Sequence, residues 1–365
     1  MKFPKLHIFL GAGGVGKTTL SAAFALSLAA SGKKVALLSI DPAKRLQSAL
    51  GIHFNGEEGV SILMENANGG ELRVSMLQME DTLKRWIEQK KMNSVKQKKL
   101  MSNPYYTALA EKLASSSDTL AAIYIAEWLE RFPQVEDFII DTAPGLHAID
   151  FIVKPEKVAS FLDSKLVDWL KIFVGDPGKD KKSFFSRIVK SGAKKILDGL
   201  SLVGGQSFLV NFGEFLISLD EVFLTAMDRL KLARKWIFHS STNIVLVTAV
   251  RDDAVSTTKE FGRILKSLKL SVALSIINRA FPNHLLQEES FQKFINAKFE
   301  KNSCEDLFAN YFSSYTHVQK RVCADLEKFS EMVIEIPNSL DLDKNQELRL
   351  ADLCALGQKI QVHFQ

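Results

Sequence analysis

A glycine-rich segment near the start of the chain constrains its fold more than any other feature. Residues 11–19 read GAGGVGKTT and follow the apolar run 6–10, which matches the phosphate-loop pattern G-x-x-x-x-G-K-[ST]. Glycines in such a loop let successive backbone N–H groups point toward an anion, and the helix that follows adds the positive end of its dipole. The pattern therefore predicts a strand, a loop and a helix that together hold phosphate groups.

The residues of this loop have separate predicted tasks. Lys17 would place a positive charge beside the β- and γ-phosphates of a nucleotide, and the Thr18 hydroxyl would bind Mg²⁺. The predicted nucleotide-binding residues of the loop are Gly13, Gly14, Val15, Gly16, Lys17, Thr18 and Thr19.

A dinucleotide-binding loop is the competing interpretation. Residues 11–16 also fit G-x-G-x-x-G, and Asp41 ends the next apolar run, where dinucleotide-binding folds keep a ribose-binding acid. Lys17-Thr18 and a later apolar run that ends in Asp141 favour a nucleoside triphosphate, because these side chains neutralise phosphates and hold Mg²⁺.

The rest of the chain predicts a doubly wound α/β fold with a mainly parallel sheet. Mostly apolar runs, typical of strands covered on both faces, alternate with helical segments. The predicted strands are 6–11, 35–41, 74–79, 138–141, 244–249, 272–278 and 333–337. Functional residues of such sheets follow the carboxyl ends of strands, where Gly11, Asp41, Asp141 and Asn278 lie.

Two helical regions interrupt the strand pattern, and we expect them to form an inserted helical subdomain. Within one phosphate-loop domain spanning 1–365, the core is 1–80, 131–150 and 241–345, the helical subdomain is 81–130 and 151–240, and a C-terminal helix is 346–365. The second helical region holds ten of the 25 phenylalanines, many on amphipathic stripes. Such stripes either pack on each other or leave an apolar groove for a client helix, and the basic segment 179–195 would suit an anionic membrane surface.

Composition limits the possible partners and location. A net charge of +5 over 365 residues is too small to indicate nucleic-acid binding, so no nucleic-acid partner is expected. The three cysteines Cys304, Cys323 and Cys354 form no C-x-x-C pair, which fits a reducing cytosol. No uncharged apolar run reaches the roughly 20 residues that a membrane-spanning helix needs, and we expect a cytoplasmic protein.

Four blocks, in this order, carry a resemblance to a known family. They read GAGGVGKTT at 11–19, SIDPAKRLQSALG at 39–51, IIDTAPGLHAIDFI at 139–152 and SIINRAFP at 275–282. Together they resemble the arsenical-pump ATPases (ArsA) and the related ATPase that delivers tail-anchored membrane proteins. The resemblance implies a deviant phosphate-loop NTPase of the class that includes MinD and ParA, with ATP and Mg²⁺ as cofactors and usually a nucleotide-sandwich dimer.

The resemblance also implies roles for residues outside the loop. Asp41 would activate the attacking water, and Asp141 would be the acid of the second switch segment, which also contains His147. Asn278 would contact the adenine, and Pro337 would open the loop that packs on it. The implied magnesium site consists of Thr18, Asp41 and Asp141.

The chain departs from the family pattern at the second residue of the loop. The family normally has a lysine there, which reaches the phosphates of a partner subunit, and this chain has Ala12. Either Lys44 or Arg45 supplies the missing charge, or the protein hydrolyses ATP slowly and pairs with an active paralogue. The predicted catalytic residues are Lys17, Asp41, Lys44 and Arg45.

The favoured function is that of an ATPase whose nucleotide state opens and closes a hydrophobic helical surface on a client, as a homodimer or as a heterodimer with a paralogue. The alternatives are a weakly or non-hydrolysing, nucleotide-bound subunit that pairs with an active paralogue and a positioning ATPase of the MinD/ParA type. Residues 351–365, with one lysine and one acid, do not form the basic amphipathic helix that the positioning class uses. Arsenite transport is less supported, because no cysteine cluster matches arsenite ligands.

Overall fold

The strands that the structure describes form one eight-stranded sheet. Its strands are β1 (Lys5–Gly11), β2 (Lys34–Ser39), β3 (Val60–Leu63), β4 (Glu71–Met76), β5 (Asp137–Asp141), β6 (Thr242–Ala249), β7 (Val272–Ala280) and β8 (Val333–Pro337). They lie in the order β3-β4-β2-β5-β1-β6-β7-β8, and only β3 runs antiparallel to its neighbour. The chain moves to one side of β1 and later to the other, which confirms the predicted doubly wound α/β fold.

Helices lie between these strands, and a further helix follows the last strand. They are α1 (Lys17–Ala30), α2 (Arg45–Leu50), α3 (Ser117–Arg131), α4 (Asp220–Ile237), α5 (Asp252–Ser267), α6 (Asn283–Gln287), α7 (Glu289–Asn296), α8 (Cys304–Leu326) and α9 (Leu350–Gln361), with a 3₁₀ turn at Leu146–Ile149. Within the described stretches, every helix is too short or too polar to cross a lipid bilayer.

This computed structural model describes residues 3–41, 45–53, 60–63, 70–77, 85–86, 88, 101–102, 117–153, 220–337 and 349–364. The chain divides into two units. One comprises Met1–Leu77, Glu127–Ile152 and Arg234–Gln365, and the other Gln78–Ala126 and Val153–Ala233. Most of the second unit lies outside the described residues, so the predicted helical subdomain and its Phe-rich stripes remain predictions. The sheet and the site below belong to the first unit.

The sequence missed one strand and misplaced the limits of others. The edge strand β3 was not predicted, because its residues alternate between half-buried and exposed and do not form a continuous apolar run. The predicted strand 35–41 ends at Ser39, so Asp41 lies two residues beyond it. The predicted strand 74–79 is shifted to Glu71–Met76, because β4 pairs with β2 from Lys34↔Glu71 onward.

Helix α1 is apolar almost all the way round because protein covers most of its surface. Eleven of its 14 residues are buried, and α9 packs across it. At the crossing lies Gly357 of α9, where a β-carbon would collide with the carbonyl oxygen of Ala23 and approach Cβ of Ser27. Only glycine lets the two helix backbones come this close.

A cluster of titratable side chains, in which His7 and Asp137 are buried and Lys33 is partly exposed, lies at the amino ends of β1 and β5. His7 Nε2 lies 2.9 Å from Asp137 Oδ1, and Lys33 Nζ donates to Asp137 Oδ2 at 3.0 Å. The His7 ring packs edge-on against Phe24 and Phe364. Burial lowers the pKa of His7. Burial alone would raise the pKa of Asp137, but the hydrogen bonds and charges of His7 and Lys33 outweigh it and lower that pKa.

The helix crossing predicts that Gly357→Ala destabilises the protein. In an uncrowded helix this change would raise stability by about 1 kcal/mol, whereas here the added methyl group forces the helices apart, and we expect a loss of about 1–3 kcal/mol. Urea unfolding measures the change. Gln358→Ala, at the exposed neighbouring position, is the matched control and should shift stability by less than about 0.5 kcal/mol. A Gly357→Ala variant as stable as the parent would contradict the close crossing.

The His7 cluster predicts a loss of stability in mild acid. Because the pKa of His7 is lower in the folded protein than its ordinary 6.5, the unfolded chain takes up a proton first as the pH falls below 6.5. Stability should then decrease by up to about 1.4 kcal/mol per pH unit until the folded pKa is reached. In His7→Gln this component should disappear between pH 7 and 5.5, while His284→Gln, at an exposed site, should keep it. Denaturant unfolding across this range tests the comparison, and an unchanged pH dependence in His7→Gln would refute it.

Candidate phosphate-binding site

The glycine-rich loop leaves the sheet between the carboxyl ends of two neighbouring strands. In β1, Phe9 pairs with Asp141 of β5, and Gly11 pairs with Val247 of β6. The loop backbone takes positive φ angles of 73° at Gly14 and 90° at Gly16, which glycine adopts without strain. Sheet pairing and glycine content together thus give the turn that the sequence pattern predicts.

Lys17 begins α1, and its side chain is buried at the end of β5. Its ammonium group donates to the carbonyl oxygen of Thr142 and lies 3.4 Å from Asp141 Oδ1. The Thr142 hydroxyl in turn donates to the carbonyl oxygen of Phe9 at 2.6 Å, which holds the segment after β5 against β1. The loop therefore keeps a cation in an environment of low dielectric constant, where its attraction for an anion is strong.

Asp141 contacts polar groups from two other segments, the start of α1 and the end of β2. The hydroxyls of Thr18 and Ser39 donate to its Oδ2 atom at 2.9 and 3.1 Å, and Lys17 approaches its Oδ1 atom. Burial raises the pKa of this fully buried carboxyl, and Lys17, Thr18 and Ser39 oppose that rise. The sequence pattern did not identify Ser39, whose place follows from the Ser39↔Asp141 pairing of β2 with β5.

The structure brings two of the three predicted magnesium ligands together. Thr18 and Asp141 offer hydroxyl and carboxylate oxygens 2.9 Å apart, and this donor set fits Mg²⁺, which proteins hold through one or two oxygen ligands plus substrate phosphates. Asp41 is buried just past β2, and Arg45 Nη1 lies 3.4 Å from its Oδ2 atom. Among the described residues, no group of three or more His, Cys, Asp or Glu side chains is placed to hold a metal ion.

Of the other predicted site residues, three lie in the described part of the chain, on β7, on β8 and in the turn after β5. Asn278 of β7 donates from its amide to the carbonyl oxygen of Val15, and a β-carbon at Gly16 would collide with that amide. Pro337 ends the neighbouring strand β8, where it pairs with Ala280. His147 lies in the 3₁₀ turn after β5. Lys44 lies outside the described residues, so its proposed catalytic role remains a prediction.

One side chain at the loop was not predicted. Arg251 follows β6 and immediately precedes α5, and its Nη2 atom donates to the carbonyl oxygen of Gly13 at 2.9 Å. The same guanidinium is paired with Asp253 in the first turn of α5, where the Nη2–Oδ2 distance is 2.9 Å. No motif marks this residue in the sequence. Its position follows from the parallel pairing of β1 with β6, because this pairing brings the segment after β6 to the loop.

Comparison with known proteins connects the chain to one family and to several ATPases. The family described as anion-transporting ATPases matches residues 5–334. A putative arsenical pump-driving ATPase 2 of Aquifex aeolicus is 29% identical over 163 residues, which cover 44% of this chain and 52% of that protein.

Two further relatives come from other organisms. An arsenical pump-driving ATPase of Escherichia coli is 31% identical over 170 residues, covering 44% of this chain and 27% of its own length. ATPase GET3 of Malassezia globosa is 30% identical over 147 residues, which cover 40% of each protein. The aligned stretches therefore span about half or less of these relatives.

The buried contact between Lys17 and Asp141 predicts energetic coupling between the two residues. Lys17→Met leaves a buried carboxylate without its cation, and Asp141→Asn leaves a buried ammonium without its anion, so each single change is costly while the double change leaves no such charge. We expect a coupling energy of about 1–3 kcal/mol from a double-mutant cycle in urea.

The exposed pair Arg263 and Glu260 on α5 is the matched control for this cycle. The cycle of Arg263→Met and Glu260→Gln should give less than about 0.5 kcal/mol. A Lys17–Asp141 coupling energy as small as that of the control would argue against a tightly coupled buried pair.

Proposed function

Since the chain belongs to the anion-transporting ATPase family, we propose that it binds Mg-ATP at residues 11–19 and hydrolyses it to ADP and phosphate. The observation that supports this most strongly is the placement of Lys17 and Thr18 on the buried Asp141 at the carboxyl edge of the sheet. A cation, a hydroxyl and a carboxylate beside a glycine loop are the groups that phosphoryl transfer requires.

Each group has a task in this reaction. The loop N–H groups and the start of α1 bind the phosphates, and Lys17 neutralises charge at the β- and γ-positions. Thr18 and Asp141 would hold Mg²⁺ through their side-chain oxygens, and the bound ion would supply further charge neutralisation. Asp41 orients the attacking water, and its contact with Arg45 fixes the carboxylate. Asn278 supports the loop backbone and, with Pro337, forms the side of the site that receives the adenine.

The client-binding part of the proposal rests on the sequence. Nucleotide state would open and close a hydrophobic helical surface formed by residues 151–240, whose Phe-rich amphipathic stripes suit an apolar helix of a client protein. The protein would work as a homodimer or as a heterodimer with a paralogue, because sandwich dimers complete the nucleotide site in ATPases of this class.

A slowly hydrolysing subunit is the second candidate, and one observation favours it. Ala12 is only 6% exposed and packs in the hydrophobic core, so this position offers the phosphates no charge. An arginine finger is a comparable cation, and its removal slows phosphoryl transfer by about 10³–10⁵-fold. The test adds an excess of a paralogue that has a lysine at the position of Ala12. A rise in the rate of ATP turnover would support this candidate.

The proposal predicts that ATP hydrolysis depends on the buried charges of the loop. Lys17→Ala and Asp141→Asn should each reduce the single-turnover rate by at least about 100-fold, because each removes a group that stabilises charge in the transition state. The exposed Lys293→Ala is the control and should hydrolyse ATP like the parent. Hydrolysis that persists in Lys17→Ala would refute the assignment of the site.

Retention of a hydrophobic helical peptide tests the client-binding part separately. The peptide should be retained in an ATP-dependent manner by the full chain and not by Lys17→Ala. If the parent hydrolyses ATP but retains the peptide equally with and without ATP, the client part fails and the ATPase part stands.

A further inference from the structure

A cavity lies at the amino ends of β1 and β5, whereas the glycine-rich loop follows the carboxyl end of β1. Its volume is about 310 Å³, at the lower end of the range in which proteins bind small molecules. Residues of α1, of α9 and of the segment after α9 line it, and all belong to the first unit. The cavity is therefore separate from the proposed nucleotide site.

Apolar and aromatic side chains form one wall of this cavity. Phe24 and Leu28 of α1 and Phe364 after α9 line it. The rings of His7, Phe24 and Phe364 pack against one another with centroids 4.9 to 5.4 Å apart. A wall of this kind is typical of small-molecule sites, because it gives the apolar body of a ligand close contacts away from water.

Most polar side chains of the cavity are paired with one another. Asp137 is buried between His7, 2.9 Å from one carboxylate oxygen, and Lys33, 3.0 Å from the other. The Gln361 amide donates to the Ser31 hydroxyl at 3.3 Å. Because these groups already have partners in the protein, none of them requires a further donor or acceptor from a ligand.

Lys5 is the exception among the polar lining residues. Its exposed ammonium group donates to the carbonyl oxygen of Phe364 over a long distance of 3.4 Å. In the part of the chain that the structure describes, no carboxylate lies within 4 Å of it. An ammonium group has three N–H donors, so both Lys5 and the half-exposed Lys33 keep donors for another acceptor.

The charges around the cavity favour an anion. Among the described lining residues, Lys5 and Lys33 carry positive charges and Asp137 is the one carboxylate. Burial lowers the pKa of His7, and the charges of Lys5 and Lys33 lower it further, so the ring is neutral at pH 7 and both ammonium groups act on the same place. Two cations against one anion attract a negatively charged group to the cavity.

We propose that this cavity binds a small monocarboxylate with an apolar body. The carboxylate accepts hydrogen bonds from Lys5 and Lys33, and the apolar body lies against Phe24, Leu28 and Phe364. A medium-chain fatty acid and an aromatic acid share this chemistry, and the two arms of the test distinguish them. The inference goes beyond the proposed ATPase function and does not depend on it, since none of these residues belongs to the nucleotide site.

Titration calorimetry with 2-naphthoate and octanoate tests the proposal. The better of the two acids should bind the parent at least about tenfold more tightly than its own uncharged amide, because hydrogen bonds to an ionised acceptor are the stronger ones. Acetate, which has the carboxylate without an apolar body, should also bind at least about tenfold more weakly than this acid. Tighter binding of 2-naphthoate identifies an aromatic ligand, and tighter binding of octanoate identifies an aliphatic one.

Two variants test the charged and the apolar part of the site separately. Lys5→Gln should weaken binding of the acid about fivefold and leave binding of the amide unchanged. Ser31→Phe, which places a ring at the exposed edge of the cavity, should weaken the acid and the amide alike by at least about tenfold. The exposed Lys34, outside the lining, provides the matched control, and Lys34→Gln should bind the acid as the parent does.

Thermal unfolding checks the fold of each variant. Lys5 and Ser31 are exposed, so both substitutions should leave the melting temperature nearly unchanged. In the parent, the acid should raise the melting temperature, because a ligand that binds only the folded state stabilises it.

Four results would overturn the proposal. They are the absence of binding by both acids, equal binding of acid and amide, unchanged affinity for the acid in Lys5→Gln or in Ser31→Phe, and tighter binding of 2-naphthylmethylamine than of either acid. The last result would make Asp137 the group that recognises the ligand. The titrations contain no nucleotide, so their failure would leave the proposed ATPase function standing, and failure of ATP hydrolysis would leave this cavity's proposed ligand standing.

Discussion

The site depends on the parallel pairing of β1 with β5 on one side and with β6 on the other. This pairing sets Asp141 beside the strand that leads into the loop and brings the segment after β6 to the loop's outer side. A slip of one residue in either register would turn the paired side chains to the opposite face of the sheet. The chemistry of the loop is thus secured by backbone hydrogen bonds of the sheet as much as by its own glycines.

Burial makes the few charges of the site effective. Lys17 and Asp141 are almost fully buried, and Thr18 and Ser39 satisfy the remaining carboxylate oxygen. An incompletely paired charge in such surroundings costs several kcal/mol, so these groups are fixed before any ligand arrives. At the other end of the same strands the buried Asp137 is paired with His7 and with the partly exposed Lys33, without a glycine loop beside it.

The sequence identified the parts of the site that depend on local pattern. The glycine loop, Lys17, Thr18 and Asp141 follow from spacing and from an apolar run that ends in an acid, and the mainly parallel sheet follows from the continuous apolar runs. Ser39 and Arg251 could not be predicted in this way, because their contacts arise from strand register. Strand β3 was not predicted, because four residues that alternate between half-buried and exposed give only a weak hydrophobic pattern.

The packing of α9 on α1 has a consequence for how the protein is made. Helix α1 ends at Ala30, whereas α9, which covers part of its apolar surface through the Gly357 crossing, begins at Leu350 and is made later. At about 10 residues per second, on the order of half a minute of translation separates the two helices. During that interval a strongly apolar helix lacks its final cover, and contacts so distant in sequence slow the search for the native fold. The apolar surface of α1 that α9 later covers is therefore open to aggregation while the rest of the chain is being made.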